Sequence, residues 1–144
     1  MAEDRFTMRV AVFLILEKEG SVWLQRRANT GYRDGYYDLP AGHVDGKESA
    51  RVAMIREASE EAGVVIEPED LLGAHVLHNN DGIEYIDIFF KATKWTGDPR
   101  IGEPDKADDA GLYAYDNFPE PMTPHVAQAL NHIRDGIIYS DNKW

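Results

Sequence analysis

At 144 residues the chain has the size of one domain, long enough to bury roughly two-thirds of the surface that its unfolded form would expose. Lys and Arg total 15 against 26 Asp and Glu, a formal charge of −11, which argues against electrostatic binding to a nucleic-acid polymer or an anionic membrane. With no cysteine, the chain has no disulfide, no thiolate-ligated zinc and no cysteine nucleophile. A polyanionic small molecule would need a cation to approach such a surface, and a divalent metal in a carboxylate-rich site supplies one.

Met1 to Arg5 is acidic and polar, and the apolar run Val10 to Leu16 is too short to span a bilayer, so a cytoplasmic protein is expected. Met8 to Leu16 and Ser21 to Gln25, separated by Glu17-Lys18-Glu19-Gly20, read as a β-hairpin. A loop follows from Ala28 to Tyr36, and Tyr37-Asp38-Leu39-Pro40-Ala41-Gly42 leads through turn-prone residues toward Glu48. Ser49 to Ala62 is free of Gly and Pro and dense in Ala, Glu, Arg, Met and Ile, which predicts a helix ending at Gly63. Val64 to Ile66 is expected to restart extended structure. Leu71 to His78 and Ile83 to Ala92 read as strands joined around Asn79-Asn80-Asp81-Gly82. Trp95 to Gly111 reads as a polar loop, Leu112 to Tyr115 as a short strand, and His125 to Arg134 as a second helix with Val126, Ala129, Leu130 and Ile133 on one stripe. This order predicts an α/β sandwich around a mixed β-sheet, in one domain spanning 1–144.

Glu57, Glu60 and Glu61 fall within an arc of roughly 100° on the predicted helix. Ile55, Ala58 and Ala62 take another face and can bury against a sheet. Like charges at these spacings destabilise a helix by roughly 0.2–0.5 kcal/mol per pair. Such a stripe is either a solvated face or a cation site. Oxygen-only ligation selects Mg²⁺, Mn²⁺ or Ca²⁺, and Mg²⁺ leaves coordination positions for water and substrate phosphate, which suits phosphoryl or pyrophosphoryl transfer.

The whole segment, Gly42-x5-Glu48-x7-Arg56-Glu57-Ala58-x-Glu60-Glu61-x-Gly63-Val64, resembles the signature of the Nudix hydrolase superfamily at every fixed position, with Ala58 a small occupant of an aliphatic site. Gln25-Arg26-Arg27, Leu39-Pro40-Ala41-Gly42 and the acidic loop after Trp95 extend the resemblance to small MutT-like members. It implies a Nudix α/β/α sandwich and Mg²⁺- or Mn²⁺-assisted attack of water on a nucleoside diphosphate linked to a group X. Glu57, Glu60, Glu61, the loop carboxylate Glu103 and the backbone carbonyl of Ala41 would be the metal ligands. Glu57 is the first candidate for general base and Glu103 the second. Gly42, Glu48, Arg56 and Gly63 would be structural supports, with Arg56 orienting carboxylates through ion pairs.

The same resemblance places Arg27 at a phosphate-contacting position and Asp38 near the base, where it could equally be a loop cap. Leu39, with Tyr32, Tyr37, Tyr85 and Phe118, is available as a base platform or as core. Arg26 should face the other way from Arg27. One departure concerns the residue after Phe118-Pro119: 8-oxoguanine readers carry an asparagine where this chain has Glu120-Pro121-Met122. Methionine cannot make paired amide contacts to a purine edge, and Asn117 is the nearby amide.

The expected activity is therefore hydrolysis of a small-molecule nucleotide, foremost a nucleoside or deoxynucleoside triphosphate cut to monophosphate and pyrophosphate, by a monomer or homodimer. ADP-ribose, dinucleoside polyphosphates and nucleotide sugars are the alternative substrates, and a non-catalytic nucleotide sensor is the alternative class. The complete carboxylate set speaks against the sensor, and the absence of cysteine against a prenyl-diphosphate isomerase.

Overall fold

A computed structural model describes residues 4–144, so the first three residues of the polar N-terminal stretch lie outside the described part. Eight strands run in one mixed sheet: β1 (Arg9–Lys18), β2 (Ser21–Arg27), β3 (Tyr37–Asp38), β4 (Ala41–His43), β5 (Leu72–Asn80), β6 (Glu84–Ala92), β7 (Ala107–Ala114) and β8 (Tyr139–Asn142). The spatial order is β3-β2-β1-β6-β5-β8, with β4 added to β1 and β7 to β2. β1 pairs β6 in parallel and β5 pairs β8 in parallel, while the hairpins β1–β2 and β5–β6 are antiparallel. Glu19 and Gly20 both take positive φ, 53° and 78°, which closes the first hairpin with the twist its strands need.

β1 is buried on both faces, as a strand at the centre of a sandwich must be. Val12, Leu14 and Leu16 pack with Ala53, Met54, Ala58 and Ala62 beneath the first helix. Ala11, Phe13 and Ile15 pack on the opposite face with Val126, Ala129 and Leu130 of the second helix, α2 (Pro124–Arg134). The mixed α/β sandwich expected from the order of elements is the observed architecture.

The first helix differs in its winding. Ser49 caps it by accepting the Val52 N–H, and α1 runs over Ala50–Glu57, but Ala58–Ala62 continues as a π turn. Gly63 ends it at φ 67°, a left-handed conformation that costs other residues roughly 1–2 kcal/mol. A π turn inside a helix is rare and recurs at functional sites because it re-aims side chains; here it carries Glu60 and Glu61.

Three further differences have a common origin in edge pairing. β7 begins at Ala107, five residues before the expected Leu112, because Ala107 to Gly111 pairs with β2 although its side chains are small or acidic. Charged edge strands lack the apolar alternation that marks strands in sequence. Val64 to Ile66 forms only an isolated bridge, Val65 to Thr96. β8, with the pattern Tyr-Ser-Asp-Asn, gives no strand signal and is ordered by its pairing with β5.

Candidate active site

The catalytic end is built where β4 meets the end of the first helix. Ala41 opposes Phe13 at a position of the β1–β4 ladder flanked by the bonds Leu14 N–H to Pro40 C=O and Val44 N–H to Val10 C=O. Its own N–H and C=O therefore point away from β1. The N–H donates to Glu61 Oε2 at 2.9 Å. The adjacent Gly42 has no side chain for a physical reason: a Cβ there would overlap the Glu57 carboxyl group.

Arg56 holds the acids in place. Its guanidinium donates to Glu48 Oε1 at 2.8 Å and to Glu57 Oε1 at 3.0 Å, with Glu60 Oε2 at 3.8 Å. One planar fork thus ties the loop before the helix to the helix itself, and Glu48 is held below the usual carboxylate range by that bond. Glu48 also accepts the Asp45 N–H, which shapes the same loop.

The third contributor is the loop after β6. Arg100 N–H donates to Ala62 C=O and Gly102 N–H to Glu61 C=O, so the loop caps the open carbonyls of the π turn. The Arg100 guanidinium lies over Gly63, 2.8 Å from where a Cβ would stand. A Cβ on Gly102 would overlap the Glu60 carbonyl oxygen. This docking brings Glu103 into the field of Glu57 and Glu61. Gly102 was not singled out in the sequence, and only the fold reveals its constraint. Gly102→Ala is expected to lift the loop and lower kcat by at least about tenfold with a loss of stability of about 1–3 kcal/mol, read by steady-state kinetics and thermal melting.

The electrostatics are those of crowded acids. Burial, then the charges of Glu57, Glu103 and Asp38, push Glu61 up to about 8 against the opposing Ala41 N–H. Burial and Glu60 raise Glu57 likewise, against the pull of Arg56. Glu60 differs: its carboxylate is largely exposed, and among the described residues no three acidic or histidine side chains are already gathered as a closed ligand set. The structure therefore brings Glu57, Glu61 and Glu103 into one another's field at one edge, with Glu60 more exposed but close enough for its charge to raise Glu57.

From Glu61, Glu103 and Ala41 a cleft of about 700 Å³ runs inward over the α2 face of the sheet. Arg27 lines it, with Nε donating to Tyr32 C=O at 2.7 Å and another guanidinium nitrogen to Thr30 Oγ1 at 3.2 Å. Arg26 points to the opposite side, onto Asp108 at 2.7 Å. Asp38 is buried in the cleft wall with each oxygen engaged: Oδ1 accepts from Leu39 N–H at 2.7 Å and Oδ2 from Thr123 Oγ1 at 2.9 Å, tying β3 to the start of α2, with Arg27 Nη1 3.9 Å from Oδ2. Burial pushes it up to about 6. Leu39 and Tyr37 are both buried in the core, and Leu39 also lines the cleft. Asn117 and Met122 lie together in a separate surface groove with Phe118. The loop from 28 to 36 crosses the mouth, where Tyr32 and Arg33 reach Asp81 at 3.1 and 3.3 Å.

At the deep end stand Asp87 of β6, Asn79 of β5 and His125 of α2. Asp87 carries no signal of its own in the sequence, since it interrupts an otherwise ordinary strand, and Asn79, read in the sequence as part of the turn, belongs instead to β5, which pairs as far as Asn80. Burial pushes Asp87 up to about 7 and His125 down to about 4, so the imidazole is neutral and the 4.0 Å approach of the two is no ion pair at neutral pH. A carboxylate with a raised native pKa binds a proton in the fold that it has lost in the unfolded chain, so its cost is absent below about pH 4 and fully present above about pH 7. Asp87→Asn is accordingly expected to stabilise the protein, by up to roughly 4 kcal/mol at high pH, with an advantage that grows across that window in urea denaturation.

A profile of the NUDIX domain matches residues 5–133. The chain belongs to the NUDIX domain family. Among known proteins it is 31% identical over 126 residues to an ADP-ribose pyrophosphatase of Methanocaldococcus jannaschii, across 87% of this chain and 73% of that protein. It is 26% identical to the 8-oxo-dGTP diphosphatase of Escherichia coli, across 84% of this chain and 95% of the other. The crystal structure of a MutT NUDIX hydrolase from Burkholderia pseudomallei superposes with a TM-score of 0.80 at 28% identity, covering 88% of this chain and 98% of that one. As a Nudix hydrolase, the protein carries its acidic helix at the mouth of a cleft large enough for a small organic ligand. No helix among the described residues is long and apolar enough to cross a membrane.

Proposed function

We propose that this Nudix hydrolase is a divalent-metal-dependent pyrophosphohydrolase that cuts a nucleoside or deoxynucleoside triphosphate into the monophosphate and pyrophosphate. The observation that carries this reading is the continuity of one cleft from the carboxylates Glu61 and Glu103, past Arg27, to a deep pocket floored by polar side chains. That layout suits phosphates at the acidic end and a base at the other.

The donor set fits a hard cation. Glu57 and Glu61 are half-buried acids raised by burial and by neighbouring carboxylates, and among the described residues Arg56 reaches Glu57 but pairs with no oxygen of Glu61. Glu57, Glu60, Glu61, Glu103 and the outward-facing carbonyl of Ala41 would hold Mg²⁺ or Mn²⁺, all through oxygen. The bound ion would polarise the phosphate and ease ionisation of water.

The chain's own groups do the rest. Arg56 and Gly42 fix Glu57 through its Oε1 side, which leaves Oε2 as the oxygen to take the proton from attacking water. Water oxygen bonds to phosphorus, the bridging P–O bond breaks, and pyrophosphate leaves. Arg27, already aligned by Thr30 and the Tyr32 carbonyl, offers its remaining guanidinium N–H groups to the phosphates. Glu103 is the alternative base, and the comparison of Glu57→Gln with Glu103→Gln assigns the role: the base variant loses the acidic limb of the kcat profile.

A second reading, hydrolysis of ADP-ribose, is favoured by the 31% identity to the M. jannaschii enzyme of that name. Product masses separate the two: a triphosphate gives pyrophosphate and monophosphate, whereas ADP-ribose gives AMP and ribose 5-phosphate. Turnover of ADP-ribose alone, with triphosphates inert, would overturn the first reading.

A further inference from the structure

The deep end of the cleft holds a buried acid that the proposed hydrolysis does not use. Asp87 is 2% exposed, yet among the described residues its carboxylate, with about four acceptor positions, receives one hydrogen bond, a long one of 3.3 Å from Asn79 Nδ2 to Oδ2. The His125 ring nitrogen stands 4.0 Å away. Buried polar groups are ordinarily satisfied, so an acid left short of donors and lining a cleft implies donors brought by a ligand. Its cost to stability, argued above, points the same way.

The one donor to this carboxylate is itself oriented by a second amide. Asn142 of the C-terminal strand donates to Asn79 Oδ1 at 2.9 Å, which turns the Asn79 amide nitrogen toward Asp87 Oδ2 and leaves Oδ1 open. Apolar walls flank the position: Phe13, stacked on Phe89 at 4.7 Å, together with Leu39 and Ile83. A flat heterocycle fits between such walls. Two other aspartates line the cleft and both are engaged: Asp38 accepts from Leu39 and Thr123, and Asp81 from Lys143, Tyr32 and Arg33. Met122 and Asn117, at the position where an amide reader would stand, lie outside the cleft.

The geometry points to Asp87 as the residue that reads the base, accepting two adjacent N–H groups of a guanine-type edge, with Asn142 positioning it through Asn79. Guanine presents N1–H and the 2-amino group side by side. Adenine and cytosine pair one donor with an acceptor, and uracil sets its single N–H between two carbonyls that a carboxylate repels. The inference rests on the reading of this cleft as a nucleotide site.

The test is calorimetric titration of the wild-type protein with GMP, IMP and AMP, which requires no turnover. IMP is GMP without the 2-amino group, so losing one charge-assisted bond is expected to weaken binding about 10- to 100-fold, with AMP weaker than GMP too. Asp87→Asn should abolish the GMP-over-IMP preference. Asn142→Ala should shrink that ratio by weakening GMP more than IMP, whereas a merely structural role would weaken both alike. Equal affinity of the wild type for GMP and IMP, or binding of none of the three, would overturn the inference even if a variant failed to fold. Triphosphate turnover in the same preparation separates the two claims: turnover without the preference sinks only the base reading, and the preference without turnover sinks only the hydrolase reading.

Discussion

Glu57→Gln is expected to lower kcat by at least about 10²-fold while leaving the protein folded. The glutamine keeps the shape that packs against Gly42 but cannot take a proton, and it weakens the bond to Arg56 from charge-assisted to neutral. Stability should not fall, because the acid it replaces is raised by burial and by Glu60. Glu61→Gln is expected to match it in kcat, since the Ala41 N–H can still bond the amide oxygen while one negative charge at the cleft mouth is lost. Glu60→Gln should cost less, because that side chain is largely exposed and stands 3.8 Å from Arg56. Kinetics of the three variants, with circular dichroism as the fold control, check this order. Near-wild-type kcat in both Glu57→Gln and Glu61→Gln would remove the helix from the active site.

Gly42→Ala, one methyl group, is expected to be comparably severe. The added Cβ would occupy the volume of the Glu57 carboxyl group, so either the carboxylate swings away from Arg56 or β4 moves off its pairing with Val12 of β1. A displacement of about 1 Å at a reacting group costs on the order of 10²-fold in rate, whereas overpacking at this site should cost about 1–3 kcal/mol of stability. The expected signature is a collapse of kcat with a modest fall in Tm. A full loss of fold would show that the β1–β4 pairing, not the carboxylate, yields first.

The parts of the fold that could be read from the sequence are those whose signals are local. The apolar run Val10 to Leu16, the polar break Glu17 to Gly20 and the Gly-free stretch ending at Gly63 each specify their element through neighbouring residues. What was not legible depends on partners distant in the chain. β8 exists because β5 offers it an edge, β7 starts early because β2 pairs with an acidic strand, and the π turn is stabilised by bonds from Arg100 and Gly102. The same division holds at the site. Glu57, Glu61 and Arg56 stand out by spacing, and the reason for Gly42 is a contact across fifteen residues that only the fold displays. Asp87 gave no signal because a single polar residue in a strand looks like a solvated one until burial is known, and Asn79 was masked by the turn signal of Asn79-Asn80-Asp81-Gly82.

The central claim is that the acidic helix end and its cleft form one metal-dependent hydrolytic site. Its most direct test is the metal dependence of product formation from a panel of nucleoside triphosphates and ADP-ribose, with products identified by mass, in wild type and Glu57→Gln side by side. The account predicts turnover that requires Mg²⁺ or Mn²⁺, gives monophosphate and pyrophosphate, and disappears in the variant. Turnover that persists with the metal chelated, or that survives in Glu57→Gln, would contradict it.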